Sequence, residues 1–173
     1  MTSRWLWVWA VGCKSDPEGV DSGSPAVGIA LFVNEVMPAN VSTLADESGA
    51  FPDWVELYNP GDEAVEVGGL WITDDVADPM RHELSAELPP IEPGDYLVLF
   101  ADDDEEAGPD HLSFGLAAAG GDDVALFAAD GTVAIDTVLD LGPAVDDQSF
   151  ARIPDGGELQ RTSNPTPGAQ NSP

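Results

Sequence analysis

The sequence predicts an all-β chain, a sandwich in one domain, and three observations lead there. From residue 29 onward the chain is a succession of short apolar runs separated by Gly, Pro, Asn and Asp, at a spacing that suits a sandwich and not alternating βαβ units. No segment carries a helical period, and Ala117-Ala118-Ala119 is cut off at once by Gly120-Gly121, which leaves no length for propagation. A length of 173 residues, 43% of them hydrophobic, is enough for one domain with a proper core.

Residues 1–12 carry one positive charge, Arg4, followed by the apolar run Trp5-Leu6-Trp7-Val8-Trp9-Ala10-Val11-Gly12. The run is too short to span a bilayer as a permanent helix and is expected to be a processed signal. Ala10-Val11-Gly12-Cys13 resembles the bacterial lipoprotein box, in which small residues precede a cysteine that is lipidated and becomes the new N-terminus. The resemblance implies lipid attachment at Cys13 and contact with the bilayer through that anchor. Lys14 in the next position is similar to lipoproteins sorted to the outer membrane of a two-membrane cell. Residues 13–28 are rich in Gly, Ser, Pro and Asp without a hydrophobic period, and are expected to form a flexible tether. As a coil it would reach roughly 20 to 25 Å. Cys13 is the only cysteine, which excludes an intramolecular disulfide and a cysteine-based zinc cage.

The folded body is expected over residues 29–171, with strands near 29–37, 53–59, 65–73, 80–85, 95–101, 112–117, 123–128, 132–139 and 148–152. Asp53 to Asn59 is the firmest of them. Its period of two puts Val55 and Leu57 on one side, where they are expected to be buried, and Trp54, Glu56 and Tyr58 on the other. Asn59-Pro60-Gly61 must then turn, since Pro cannot donate to a ladder and Gly accepts positive φ. Tyr96 to Phe100 is apolar on both faces and reads as a strand covered on each side. Val124–Phe127 and Thr132–Leu139, joined through Asp130-Gly131, read as a hairpin. The core is expected to join Val55 and Leu57 to Leu97, Leu99, Val124, Leu126 and Ile135. Residues 38–52 form a long loop where partner contacts are expected, and residues 162–173, with three prolines, are expected to lie extended along the body or fray.

Several blocks together resemble one family. Asn34-Glu35-Val36 with Pro38, then Asp53 to Asn59, then Gly69-Leu70-Trp71-Ile72-Thr73-Asp74, and finally Pro165-Thr166-Pro167-Gly168 are similar to the successive blocks of a bacterial lamin tail domain. Pro93 to Val98 and Ser149 to Gly156 resemble two further elements of that family. The resemblance implies an immunoglobulin-like β-sandwich that binds or positions other molecules and has no catalytic residues.

Charge narrows the partners. The formal net charge is -28, from 33 acidic and five basic residues, so nucleic acid and other polyanions should be repelled. No Gly-x-Ser-x-Gly, His-Glu-x-x-His or phosphate-loop pattern occurs, and no enzyme activity is expected. His82 and His111 lie beside acidic residues and read as solvated surface side chains. Two acidic clusters, Asp74, Asp75 and Asp78, and Asp102-Asp103-Asp104-Glu105, follow strands and supply the hard oxygen ligands that Ca²⁺ takes, although neither has EF-hand spacing. No other cofactor is indicated. Glu35 and Glu56 stand in strands; if they point inward they need a partner, and Arg81 or Arg152 is the expected one, Arg152 in its Ala-Arg-Ile-Pro-Asp-Gly block being preferred.

The expectation is a non-catalytic binding or scaffolding module, lipid-anchored at a bacterial cell envelope, whose ligand is a protein or polysaccharide. Its rivals are a Ca²⁺-dependent adhesion domain and an accessory subunit of a separate secreted hydrolase.

Overall fold

A computed structural model describes residues 28–173. The expected signal at residues 1–12, Cys13 and the tether up to residue 27 lie outside the described residues. Ten strands form two sheets: β1 (Phe32–Met37), β2 (Asp53–Tyr58), β3 (Trp71–Thr73), β4 (His82–Glu83), β5 (Tyr96–Ala101), β6 (His111–Leu112), β7 (Val124–Phe127), β8 (Ala134–Val138), β9 (Ser149–Arg152) and β10 (Leu159–Thr162). One sheet runs β10-β9-β1-β2-β5-β6 and the other β4-β3-β7-β8. All pairs are antiparallel except β5 with β6. This is the immunoglobulin-like all-β sandwich, and no helix occurs among the described residues.

The core between the sheets joins Val33, Val36, Val55, Leu57 and Leu99 to Ile72, Val124, Leu126 and Val138, with Leu97 and Ile135 partly buried at its margin. A bulge in β1 sets this pattern. Val33 pairs with Leu57 and Glu35 with Glu56, so Asn34 is the extra residue. Val33 and Val36 are three apart and would face opposite ways on a regular strand; the bulge restores the phase and turns both into the core. Because Glu35 and Glu56 then share a register, both point to the outer face of the larger sheet.

That outer face is also covered, which the alternation around Asp53–Asn59 did not anticipate. Trp54 and Glu56 are as fully buried as Val55 and Leu57. At one end, Met37, Trp54 and Phe100 form a second apolar cluster with Leu44 and Val98, so residues 38–52 fold back over the sheet. Asn40 fixes that return by donating to the Leu44 and Pro52 carbonyls. Asp147 clamps the loop from outside, accepting from the Val41 and Ser42 N–H groups and the Ser42 and Thr43 hydroxyls. At the other end the C-terminal segment crosses the sheet beyond β10.

Asn59 ends β2 as expected. Its amide donates to the Glu63 and Ile91 carbonyls at 2.8 Å each and its Oδ1 accepts the Gly61 N–H. The β7–β8 hairpin forms, with Gly131 at φ 67, but its connection is wider than a two-residue turn because the Ala128 N–H bonds to the Val133 carbonyl. The run 65–73 is regular only at Trp71–Thr73, with Val65 making a single bridge to Ile91. Strand β10 had no counterpart among the sequence expectations.

Candidate functional site

Two clusters of ionisable groups meet where different elements converge. The first lies on the outer face of the larger sheet. Glu35 and Glu56 stand opposite each other in the β1–β2 register and both are 0% exposed. Asn34, freed from the ladder by the bulge, donates to Glu56 Oε1 at 3.2 Å and to Asp155 Oδ1 at 3.1 Å. The C-terminal segment closes over them as a strap. Thr166 N–H donates to Glu35, Gly168 N–H to Glu56 and Asn171 N–H to Asp155. Ser149 Oγ donates to Glu35, and the Tyr96 hydroxyl to Asp155 at 2.7 Å. Gly156 shapes the turn that delivers Asp155. It has φ 68, and a Cβ there would lie 2.7 Å from the Phe32 ring, so no other residue fits without displacement.

The expected Arg152 partner for Glu35 and Glu56 is not used that way. Arg152 instead grips Asp136 with Nη2 at 3.0 and 3.1 Å and donates to the Val33 and Gly157 carbonyls. Asp136 in turn accepts the Val33 N–H at 2.9 Å, so the pair caps the backbone beside the bulge. The carboxylates of the strap cluster are therefore served by neutral donors alone. Burial raises the Glu35 pKa despite the Ser149 and Thr166 bonds, and pushes Glu56 up to about 8. Glu56 holds its proton at neutral pH, which spares the fold two adjacent buried anions.

The second cluster corrects the reading of the histidines as solvated surface groups. His82 is 8% exposed and His111 2%, and both line one cleft of about 360 Å³ with Glu83, Ser85, Glu87, Glu105, Gly108 and Pro109. His111 lies 2.7 Å from Asp102 through Nδ1 and 3.3 Å from Glu47 through Nε2. Burial opposes its charged form, but the bonds and charges of these two carboxylates outweigh it and raise the pKa. His82 Nδ1 accepts the Ser113 N–H at 3.1 Å, and burial lowers its pKa.

The expected calcium ligands stay in two groups. Asp74 lies 3.0 Å from Arg81 Nε, Asp75 Oδ1 accepts the Ala77 N–H, and Asp78 is exposed. Asp102 is engaged by His111 and by the Asp104 N–H, while Asp103, Asp104 and Glu105 are exposed. Among the described residues no three or more His, Cys, Asp or Glu side chains are grouped to hold a metal ion. Residues 38–52, the expected partner loop, contribute Glu47 to His111 and otherwise cover Trp54. Sequence reasoning missed Asn34, Ser149, Thr166 and Gly168 as the donors to the strand glutamates. The signal was present, since two strand carboxylates without a nearby basic residue need donors from elsewhere.

A family model described as the Lamin Tail Domain matches residues 24–140. No curated protein and no solved structure matches. The matched span covers β1 through β8, while β9, β10 and the strap lie beyond it and complete the larger sheet.

Proposed function

This chain belongs to the lamin tail domain family, a non-catalytic immunoglobulin-like module, and from that membership we propose that it works as a binding or scaffolding module held at a bacterial cell envelope by a lipid on Cys13. The observation that carries the non-catalytic reading is the sealing of Glu35 and Glu56. They stand opposite each other in the β1–β2 register, and they lie fully buried beneath a strap that engages both. A carboxyl pair closed off from solvent and engaged by backbone N–H groups holds a fold together. It offers no face to a substrate.

The surface supports a module kept away from polyanions. All three arginines of the described body are already engaged: Arg81 with Asp74, Arg152 with Asp136, and Arg161 with the Pro143 carbonyl and the Phe150 ring. Fractionation of bacteria expressing the full chain tests the attachment. The wild type is expected in the detergent-soluble membrane fraction and Cys13→Ser outside it, because a diacylated cysteine supplies the two chains that stable anchoring takes. Recovery of both proteins in the soluble fraction would remove the anchor from this reading.

A further inference from the structure

The strap that closes over Glu35 and Glu56 is held by polar bonds that converge on carboxyl groups. Thr166 N–H donates to Glu35 Oε2 at 3.2 Å, Gly168 N–H to Glu56 Oε2 at 2.6 Å and Asn171 N–H to Asp155 Oδ1 at 2.9 Å. Each of these backbone donors ends on a different acid. Asn171 Nδ2 adds bonds to the Asn34 and Arg152 carbonyls at 3.3 and 3.1 Å. Of residues 163–173 only Asn171 is buried, and none belongs to either apolar cluster of the body. The strap also has internal bonds, from Ala169 N–H to the Thr166 carbonyl at 2.9 Å and from the Thr166 hydroxyl to Asn171 Oδ1 at 2.6 Å, which let it move as one piece.

The groups beneath the strap are acidic or neutral. β1 contributes Glu35, β2 contributes Glu56 and the turn between β9 and β10 contributes Asp155, while Tyr96 of β5, stacked on Tyr58 of β2 at 5.0 Å, donates to Asp155. The strap itself has no ionisable side chain. Among the described residues no arginine forms an ion pair with Glu35, Glu56 or Asp155, and Arg152 is committed to Asp136. Burial pushes Glu56 up to about 8 and raises Glu35, so at neutral pH the closed strap covers at least one protonated acid.

Loss of that proton leaves adjacent anions sealed from water, and hydrating them requires an opening of the molecule. Unfolding the core between the sheets is one such opening. Lifting the strap is a smaller one, since it gives up a few hydrogen bonds and no core packing while it admits water to all three carboxyl groups. We propose that the strap is a pH-operated lid, which lifts from the larger sheet as a unit when Glu56 ionises while the sandwich beneath it stays folded. Opening turns a sealed, partly neutral surface into a hydrated acidic one made of Glu35, Glu56 and Asp155. The direction follows from proton linkage. Glu56 titrates near 8 beneath the strap and near 4.5 in water, so lifting releases a proton and becomes more favourable by up to about tenfold per pH unit between those values. Below that window the strap stays down.

Native-state amide hydrogen exchange of the full chain, followed by NMR from pH 5 to 8.5 with intrinsic rates divided out and repeated in low urea, decides it. The Thr166, Gly168 and Asn171 amides are expected to be less protected than those of β2 and β5 at every pH, and to lose protection as pH rises toward 8. Their exchange should respond only weakly to urea, the mark of a local opening that exposes little surface, whereas exchange in β2 and β5 should respond steeply. Glu56→Gln should lower the pH slope at the strap. Asn171→Ala, which leaves the carboxyl groups intact, should reduce strap protection by about tenfold at all pH values, the scale of one or two lost hydrogen bonds, and leave β2 unchanged. Strap and core amides that share one protection and one urea dependence would overturn the lid, because the strap would then leave only with the whole fold. Strap protection that is independent of pH, or a slope unchanged in Glu56→Gln, would overturn its coupling to Glu56.

Discussion

Glu35 and Glu56 face each other across β1 and β2, both fully buried, and every donor they receive is neutral. The arrangement is stable because one of the two keeps its proton, and this makes the fold sensitive to pH in a definite direction. Glu56 titrates near 8 in the folded chain and near 4.5 without its surroundings, burial being the main cause. A raised carboxyl pKa means that the folded state binds the proton more tightly. The contribution is therefore complete below about 4.5 and is lost as pH rises toward 8. Every tenfold gain in proton affinity on folding is worth about 1.4 kcal/mol, so the change across this window is a few kcal/mol. Denaturant melts from pH 5 to 8.5 should show stability falling with pH. Glu56→Gln, which keeps the shape without the ionisation, should flatten the slope; an unchanged slope would place the titration elsewhere.

Arg152 should be the most sensitive of the three body arginines. Its removal leaves Asp136 without its bidentate partner and frees the Val33 and Gly157 carbonyls. Breaking a largely buried ion pair by deleting one member is strongly destabilising, and a loss of about 2 to 4 kcal/mol is expected for Arg152→Ala. Arg161→Ala, at an exposed site on β10, should cost less than about 1 kcal/mol. Paired urea melts compare them directly.

Both faces of β2 should be intolerant of truncation. Leu57→Ala is expected to cost about 2 to 5 kcal/mol and Trp54→Ala about 3 to 5, since each side chain is fully buried. Glu63→Ala, on the exposed turn that follows, should cost about 0.5 kcal/mol or less. A small loss for Trp54→Ala would show that residues 38–52 do not cover the sheet in solution.

Salt should stabilise the domain, because a chain of net charge -28 repels itself and ions screen the repulsion. Calcium at matched ionic strength is expected to add nothing further. Asp102 is already engaged by His111, Asp74 already faces Arg81, and no cluster among the described residues has the grouping of a metal site. Melting curves in chelator, NaCl, Mg²⁺ and Ca²⁺ read the difference. A calcium increment beyond ionic strength would restore Asp102, Asp103, Asp104 and Glu105, or Asp74, Asp75 and Asp78, as ligands.

The sandwich was legible in the sequence wherever side-chain periodicity and turn chemistry act locally. Val55 and Leu57, the Asn59-Pro60-Gly61 stop and the β7–β8 hairpin all follow from neighbours within a few residues. The outer face was not legible, because what covers it is distant in sequence: Leu44 over Trp54, and Thr166 and Gly168 over Glu35 and Glu56. A bulge at Asn34 cannot be read from alternation, since it is the register with β2 that reveals it. The two histidines looked solvated for the same reason. Nothing adjacent to His82 indicates Ser113, and nothing adjacent to His111 indicates Glu47.

The three engaged arginines have a practical corollary in the absence of any lysine from residues 28–173. The chain's one lysine is Lys14, beside Cys13 in the expected tether. Reagents that modify lysine amines therefore leave the sandwich chemically untouched. Biotin or a surface coupled through Lys14 would display every copy in one orientation, strap and cleft free, much as a lipid on Cys13 would present it. Trypsin meets an equally sparse target, with cuts in the body possible only at Arg81, Arg152 and Arg161. The arrival of cleavage at the first two, which are held in ion pairs, would report unfolding of the sandwich itself.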